Sequence, residues 1–423
     1  MIERGERIQT IVDADSDPKI NLRENTSDVR YFDIISFDPR GVNHTVPQLN
    51  CFPNTFNRLV WSLGADAEGL IGSSSTAFDQ KWSRYLSRSA TCMSRIEEYG
   101  SESIAYYMGT RSVVDDIIAI AERHGQWREA EVRKHYEGKW GSLQTLERER
   151  VLAKTEWRRD NERILFWGTS YGTVLGSALA AMYPSRLRRM VLDSVSSPQS
   201  FFNVSLDSLI HADKVLAQFT HLCHKHGPQK CKFYRRSEDA ISQDIDTLVS
   251  RLQSTPLAVP ASSYRGPDSI TWTDMKRLMG ESVYRPYEVF PILAEILHDL
   301  FNNNGSSFAD HKATLKSVSV ADAQDGLYNL SPRCKVDGPY SPACGRPNEW
   351  LEESLLGISC GDGGFSSNIT KGQFKPYWYS VRNQSTTLGD IWTEWDLMCV
   401  GWNVKTRWKY NGKLNYQRES VNL

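Results

Sequence analysis

The apolar run Ile164-Leu165-Phe166-Trp167 leads directly into Gly168-Thr169-Ser170-Tyr171-Gly172, and Val174, Leu175, Ala178, Leu179 and Met182 follow at helical spacing. This order predicts a strand, a sharp turn and a helix, with Ser170 on the turn. Such a nucleophile elbow holds its serine in a strained backbone conformation with the hydroxyl exposed above a sheet. Gly168 and Gly172, two residues either side of Ser170, leave room for the strand and helix backbones to pass close together. Tyr171 would open the helix, where N–H groups have no intrahelical partner and the helix dipole favours an anion. Its backbone N–H is therefore the candidate oxyanion-hole donor. A G-x-S-x-G pattern alone also occurs in ordinary glycine-rich turns, so the flanking strand and helix signals carry the reading.

A chain of 423 residues can bury a large core, and the length suits one α/β unit with an inserted subdomain. Apolar residues make up 40% and charged residues 24% of the chain, as in globular proteins. The 50 basic and 51 acidic side chains leave a net charge of −1. That balance gives no electrostatic argument for nucleic acid or an anionic membrane surface as partner. No apolar stretch is long enough to span a bilayer, and the segment from Met1 to Arg7 lacks the apolar centre of a signal peptide.

Two features nevertheless point outside the cytosol. Asn-x-Ser/Thr acceptor patterns occur at Asn25, Asn43, Asn203, Asn304, Asn329, Asn368 and Asn383, although Pro332 follows close behind Asn329. Among the 8 cysteines, Cys223 and Cys231 flank one short loop, and Cys334 and Cys344 flank another that holds Asp337-Gly338-Pro339. Local disulfides are the natural reading of this spacing; the alternative is a set of buried free thiols. The group Cys223-His224-Lys225-His226 with Cys231 lacks a second spaced ligand pair, so no metal site is expected.

Residues 3–13 read as the end of an amphipathic helix with Ile8, Ile11 and Val12 on one side. Tyr31 to Phe37 reads as a buried strand closed by Asp38-Pro39-Arg40-Gly41, where proline removes a ladder donor and glycine permits a tight turn. Residues 42–100, rich in Asn, Ser and Pro, read as irregular. A long helix is expected from Ile104 to His124, continued by a charged, solvated stretch to Arg159. After the elbow helix, Met190-Val191-Leu192-Asp193 reads as a short buried strand ended by Ser196-Ser197-Pro198. Residues 201–330 lose the strand–helix alternation. They read as helices, from the Leu206 region to Phe219, Ala240 to Leu252, Trp272 to Met279 and Pro291 to Phe301. This is the pattern of a helical cap, either a substrate-selecting lid or a packing subdomain. Helical patterns return from Trp350 to Gly361 and from Leu388 to Trp402. The expected organisation is a core over 1–200, a cap or lid over 201–350 and a return to the core over 351–423.

Five segments together carry a resemblance: residues 32–41, 166–176, 189–193, 358–362 and 398–402. On them the chain resembles the fungal secreted tripeptidyl-aminopeptidase-like α/β-hydrolases, within the prolyl-aminopeptidase-type group of serine peptidases, from near residue 3 to about residue 410. The resemblance implies the α/β class, with a mostly parallel sheet of about eight strands under a helical cap. It also implies secretion, and cleavage of short peptides from free N-termini through an acyl-enzyme. Ser170 matches the family's nucleophile, and Tyr171 matches its oxyanion-hole donor from the elbow.

The family pattern is incomplete at both ends. In α/β-hydrolases the triad runs Ser, then Asp or Glu, then His along the chain. The histidines here are His44, His124, His135, His211, His221, His224, His226, His298 and His311, and residues 413–423 match neither the segment expected to hold the catalytic Asp nor the one expected to hold the His. The family's Gly-rich oxyanion loop is also unmatched, since Gly5 is the only glycine before Gly41. In the family the strand bearing that loop lies between the strands at 32–37 and 164–167. The core sheet is therefore expected to be incomplete, lacking that strand and the last strands, and the chain to be a truncated piece of a hydrolase. The two strands left without their shared neighbour would need other partners for their backbone groups.

Asp193 is a possible alternative acid, at a strand end where some hydrolases of this fold place theirs. The plainer reading is a strand-end residue bonded to nearby backbone. A cap histidine, His211 or His226, would have to reach Ser170 to act as base. Three functions are weighed: a serine exopeptidase acting on peptides through Ser170 but impaired or inactive in this chain for want of the triad Asp and His and the Gly-rich oxyanion loop, a non-catalytic secreted glycoprotein with the cap as binding surface, and an esterase on the same elbow. No metal or organic cofactor is expected.

Overall fold

The computed structural model describes residues 8–13, 32–137, 145–203, 209–263, 265–314, 336, 352–365 and 368–410. Two helices, α1 (Thr55–Glu68) and α2 (Ala77–Tyr99), occupy much of the stretch that reads from sequence as irregular. Asn54 starts α1 by accepting the Asn57 N–H at 2.9 Å. The buried stripe of α2 includes Phe78, Lys81, Trp82, Tyr85, Arg88, Cys92 and Ile96. Lys81 and Arg88 sit at core positions of that stripe, and two cations there hide an otherwise regular helical period. Lys81 donates to the Ala65 carbonyl at 3.0 Å and lies 3.6 Å from Glu394, while Arg88 stacks over the Tyr85 ring. Helix α3 (Thr110–His135) starts later than expected and runs on into the charged stretch, where α4 (Thr145–Thr155) follows it.

Strand β1 (Ile164–Thr169), helix α5 (Tyr171–Met182) and strand β2 (Leu187–Asp193) form a β-α-β unit with parallel strands. Phe166 lies beside Met190, Trp167 beside Val191 and Thr169 beside Asp193. Helix α5 is apolar almost throughout because it is covered on two sides. It buries Val174, Leu175, Ala178 and Leu179 among Ile164, Phe166 and Leu187 of the sheet and Val113, Val114 and Ile117 of α3. The other face of the sheet carries Leu165, Trp167 and Val191, exposed to 45%, 41% and 47%. Parallel sheets are ordinarily covered on both faces, so one face of this unit lacks its cover among the described residues.

The segment 32–37 corrects an expectation. It joins no ladder, with Asp33, Ile35 and Ser36 exposed and Phe37 packed toward α3 and α5. The reason is that β1 has β2 as its only ladder neighbour among the described residues. Side chains hold the segment instead, with Arg40 on Asp116 at 2.6 Å and His124 facing Asp33 at 3.3 Å. At the start, residues 8–12 are helical as expected, but Ile11 is 69% exposed and so does not share an apolar side with Ile8 and Val12.

The helical character expected of the middle region is present. Helices α6 (Pro198–Asn203), α7 (Ala212–His226), α8 (Glu238–Ser254), α9 (Trp272–Tyr284) and α10 (Pro286–Phe301) lead through it. Phe219, Ile245, Leu248, Met275, Leu293 and Leu297 share one core there. An unforeseen antiparallel hairpin of β3 (Leu257–Val259) and β4 (Asp268–Ile270) closes one end of it. The return segment forms α11 (Glu352–Asp362), α12 (Lys371–Gln384) and α13 (Gly389–Leu397).

Disulfides join Cys223 to Cys231, Cys51 to Cys92 and Cys360 to Cys399. The first is the local bridge expected from sequence; the free-thiol alternative fails for the six described cysteines, all of which are bonded. Cys334, Cys344, Asn25 and Asn329 lie outside the described residues. The described fold is mostly helical, with two sheets of two strands each, and is compatible with the α/β class. No helix among the described residues is long and apolar enough to cross a membrane.

Candidate functional site

Ser170 stands exposed between β1 and α5 with φ 55° and ψ −121°. A positive φ of this kind costs a non-glycine residue free energy and persists only where its surroundings fix it. Here they do so from both sides. The Ser170 N–H donates to the Asp193 carbonyl at 3.2 Å, and the Ser170 carbonyl accepts the Thr173 N–H at 2.8 Å and the Thr173 hydroxyl at 2.7 Å. Thr173 in turn accepts the Ser196 N–H at 2.9 Å, so one buried threonine ties the elbow to the turn after β2. The Ser170 hydroxyl is left free of any such bond among the described residues.

The two elbow glycines play different parts. A Cβ on Gly168 would stand 2.3 Å from the Gly172 carbonyl oxygen, which marks the close strand–helix approach. A Cβ on Gly172 would meet open space.

Tyr171 begins α5, so its N–H has no intrahelical acceptor and points out from the positive end of the helix beside Ser170. Its side chain turns inward, with the ring 5.2 Å from that of Phe201 and the hydroxyl 2.9 Å from Thr110 Oγ1. Burial raises the phenol above its ordinary pKa. Thr110 is the first residue of α3, and its N–H and hydroxyl both donate to Asp362 Oδ2, at 2.7 and 2.6 Å. Asp362 closes α11 and is 0% exposed, and its Oδ1 has no hydrogen-bond partner among the described residues. Burial pushes its carboxyl up to about 6 even against the two bonds from Thr110.

Sequence reasoning assigned no role to Thr110, Thr173 or Asp362. Asp362 was visible only as the last residue of the 358–362 match, and the two threonines look like ordinary residues of a helix's first turn.

Asp193 lies next to the elbow through its backbone, as the carbonyl that receives the Ser170 N–H. Three of the histidines of the middle region have partners of their own. His211 precedes α7 and His226 ends it, both exposed. His221 faces Glu238 at 2.9 Å, His224 the Arg235 carbonyl at 3.1 Å and His311 Glu281 at 3.1 Å. None is hydrogen-bonded to Ser170 among the described residues. Cys223 and Cys231 are bonded to each other, so neither is a thiolate for a metal. The arrangement supplies an exposed hydroxyl on a strained backbone beside helix N–H groups that suit a developing oxyanion. Compared with known proteins, the chain matches no family model and no curated sequence.

Proposed function

We propose that Ser170 is the nucleophile of an acyl-transfer site of the serine exopeptidase type, releasing short peptides from free N-termini as the tripeptidyl-aminopeptidase-like resemblance implies. The observation that supports this most is the backbone of Ser170, strained and exposed at the head of α5. Attack of Oγ on a peptide carbonyl forms an oxyanion facing the Tyr171 N–H. Collapse breaks the C–N bond, the amine leaves with a proton, and water then hydrolyses the acyl-serine. A positioned imidazole is what normally takes the serine proton, and without one the hydroxyl is a weak nucleophile. The chain is therefore expected to react slowly. A fluorophosphonate should label Ser170, located by mass spectrometry of the digested protein, and Ser170→Ala should abolish the label. Failure of the unaltered chain to take label at Ser170 would overturn the reading.

The absence of any histidine hydrogen-bonded to Ser170 among the described residues favours a second reading, a non-catalytic secreted glycoprotein that binds through its cap, with His221, His224 and His311 held by other partners. The three disulfides among the described residues suit an oxidising compartment. On this reading Ser170→Ala changes nothing measurable.

A further inference from the structure

Three helix ends meet behind the elbow: the start of α3 at Thr110, the start of α5 at Tyr171 and the end of α11 at Asp362. The bonds between them have a fixed direction. An ionised carboxylate only accepts, so the Thr110 hydroxyl must give its proton to Asp362 Oδ2. The Thr110 oxygen is then left to accept, and the Tyr171 hydroxyl donates to it. The chain of donors runs one way, from Tyr171 through Thr110 to Asp362. The Thr110 N–H bond to the same oxygen holds the carboxylate at the positive end of α3.

This arrangement is costly if its only task is packing. A wholly buried carboxylate with one oxygen unpartnered among the described residues loses solvation, and apolar groups of similar shape would fill the space at less cost. Gly109 adds to the argument, since a Cβ there would lie 2.6 Å from Asp362 Oδ1 and displace it. What the three groups fix is the side chain of the residue that follows Ser170.

We propose that Thr110 and Asp362 are positioning residues for the elbow: by holding the Tyr171 hydroxyl they set the direction of the Tyr171 backbone N–H beside Ser170. The proposal rests on the acyl-transfer reading of Ser170 for its consequence, though the geometry it invokes stands apart from it. Tyr171→Phe removes one hydroxyl and Thr110→Val another, whereas Thr110→Ser keeps the donor and acceptor. Fluorophosphonate inactivation should show kinact lowered about tenfold in Tyr171→Phe and Thr110→Val with KI unchanged, and restored in Thr110→Ser. A tenfold loss is less than the ~10²–10³ that follows outright removal of an oxyanion donor.

The second readout needs no reactivity. In protein labelled with ¹⁵N-tyrosine, the Tyr171 amide signal, assigned by its loss in Tyr171→Phe, should move in Thr110→Val and return in Thr110→Ser. An unmoved amide in Thr110→Val overturns the proposal, and so does a fall in kinact that merely follows melting temperature across the variants. If the unaltered protein takes no label, the acyl-transfer reading fails by itself. The amide signal then decides the positioning claim, which stands if Thr110→Val shifts it and Thr110→Ser does not, and falls otherwise.

Discussion

Gly168 and Gly172 are indistinguishable in the motif, yet the structure gives them opposite sensitivities. At Gly168 a methyl group would collide with the Gly172 carbonyl at 2.3 Å and the Phe166 ring at 2.6 Å, contacts that neither the strand nor the helix can relieve cheaply. Gly168→Ala should destabilise by about 1–3 kcal/mol, the usual cost of overpacking. Gly172 lies in the first turn of α5 with open space where its Cβ would be. Gly172→Ala should be neutral or stabilise by up to about 1 kcal/mol through helix propensity. Urea titrations of the two variants test the pair, and equal effects would contradict it. The serine and its neighbours were legible in the sequence because strand, turn and helix signals coincide there. Thr173, which clamps the Ser170 carbonyl, was not, because its partners lie in a turn that only the closed β-α-β unit brings near.

Between elements, Asp213 near the start of α7 joins the middle region to the loop between α12 and α13. Its carboxylate accepts the Ser385 hydroxyl at 2.6 Å, the Thr386 N–H at 2.9 Å and the Thr387 N–H at 3.2 Å. Burial alone would raise its pKa, but these bonds outweigh it and leave the group below its ordinary value. Asp213→Ala should therefore cost about 1.5–3 kcal/mol, the range for hydrogen bonds to a charged group, and should speed amide hydrogen exchange at 386–388. Exchange that stays at the wild-type rate would argue against such a latch. The helices of this region were legible where apolar residues keep helical spacing, as in α8 and α10. Helix α12 was not, because Pro376 sits inside it and masks the buried stripe of Phe374, Trp378 and Val381. One readable signal was passed over: Thr370 and Gln373 form a capping box at its start. Helix α2 escaped for a different reason, since no pattern of apolar residues reveals a core position filled by Lys81 or Arg88.

For the molecule as a whole, acid strengthens part of the fold. Asp362 is raised to about 6 by burial, and Asp396, bonded to the Tyr377 hydroxyl, is raised to about 6 for the same reason. Between about pH 4 and 6 the folded protein holds protons that the unfolded chain has released. The stability these groups contribute is complete below the unfolded value and is lost as pH rises through the folded one. For the wholly buried Asp362 the difference is on the order of a few kcal/mol. Asp213 acts in the opposite sense, its contribution fading only below about pH 4. Unfolding free energy measured from pH 4 to 7 should decline with pH, and Asp362→Asn should flatten the decline; a slope unchanged by that variant would assign it elsewhere.

The face of the β-α-β unit that lacks cover among the described residues bears on temperature rather than pH. The parts of Leu165, Trp167 and Val191 already in contact with water in the native protein meet no new water on unfolding. They add nothing to the heat-capacity change that curves stability against temperature. A unit covered on one face thus has a flatter stability curve than a sheet clothed on both, with a lower summit and a gentler decline toward the cold.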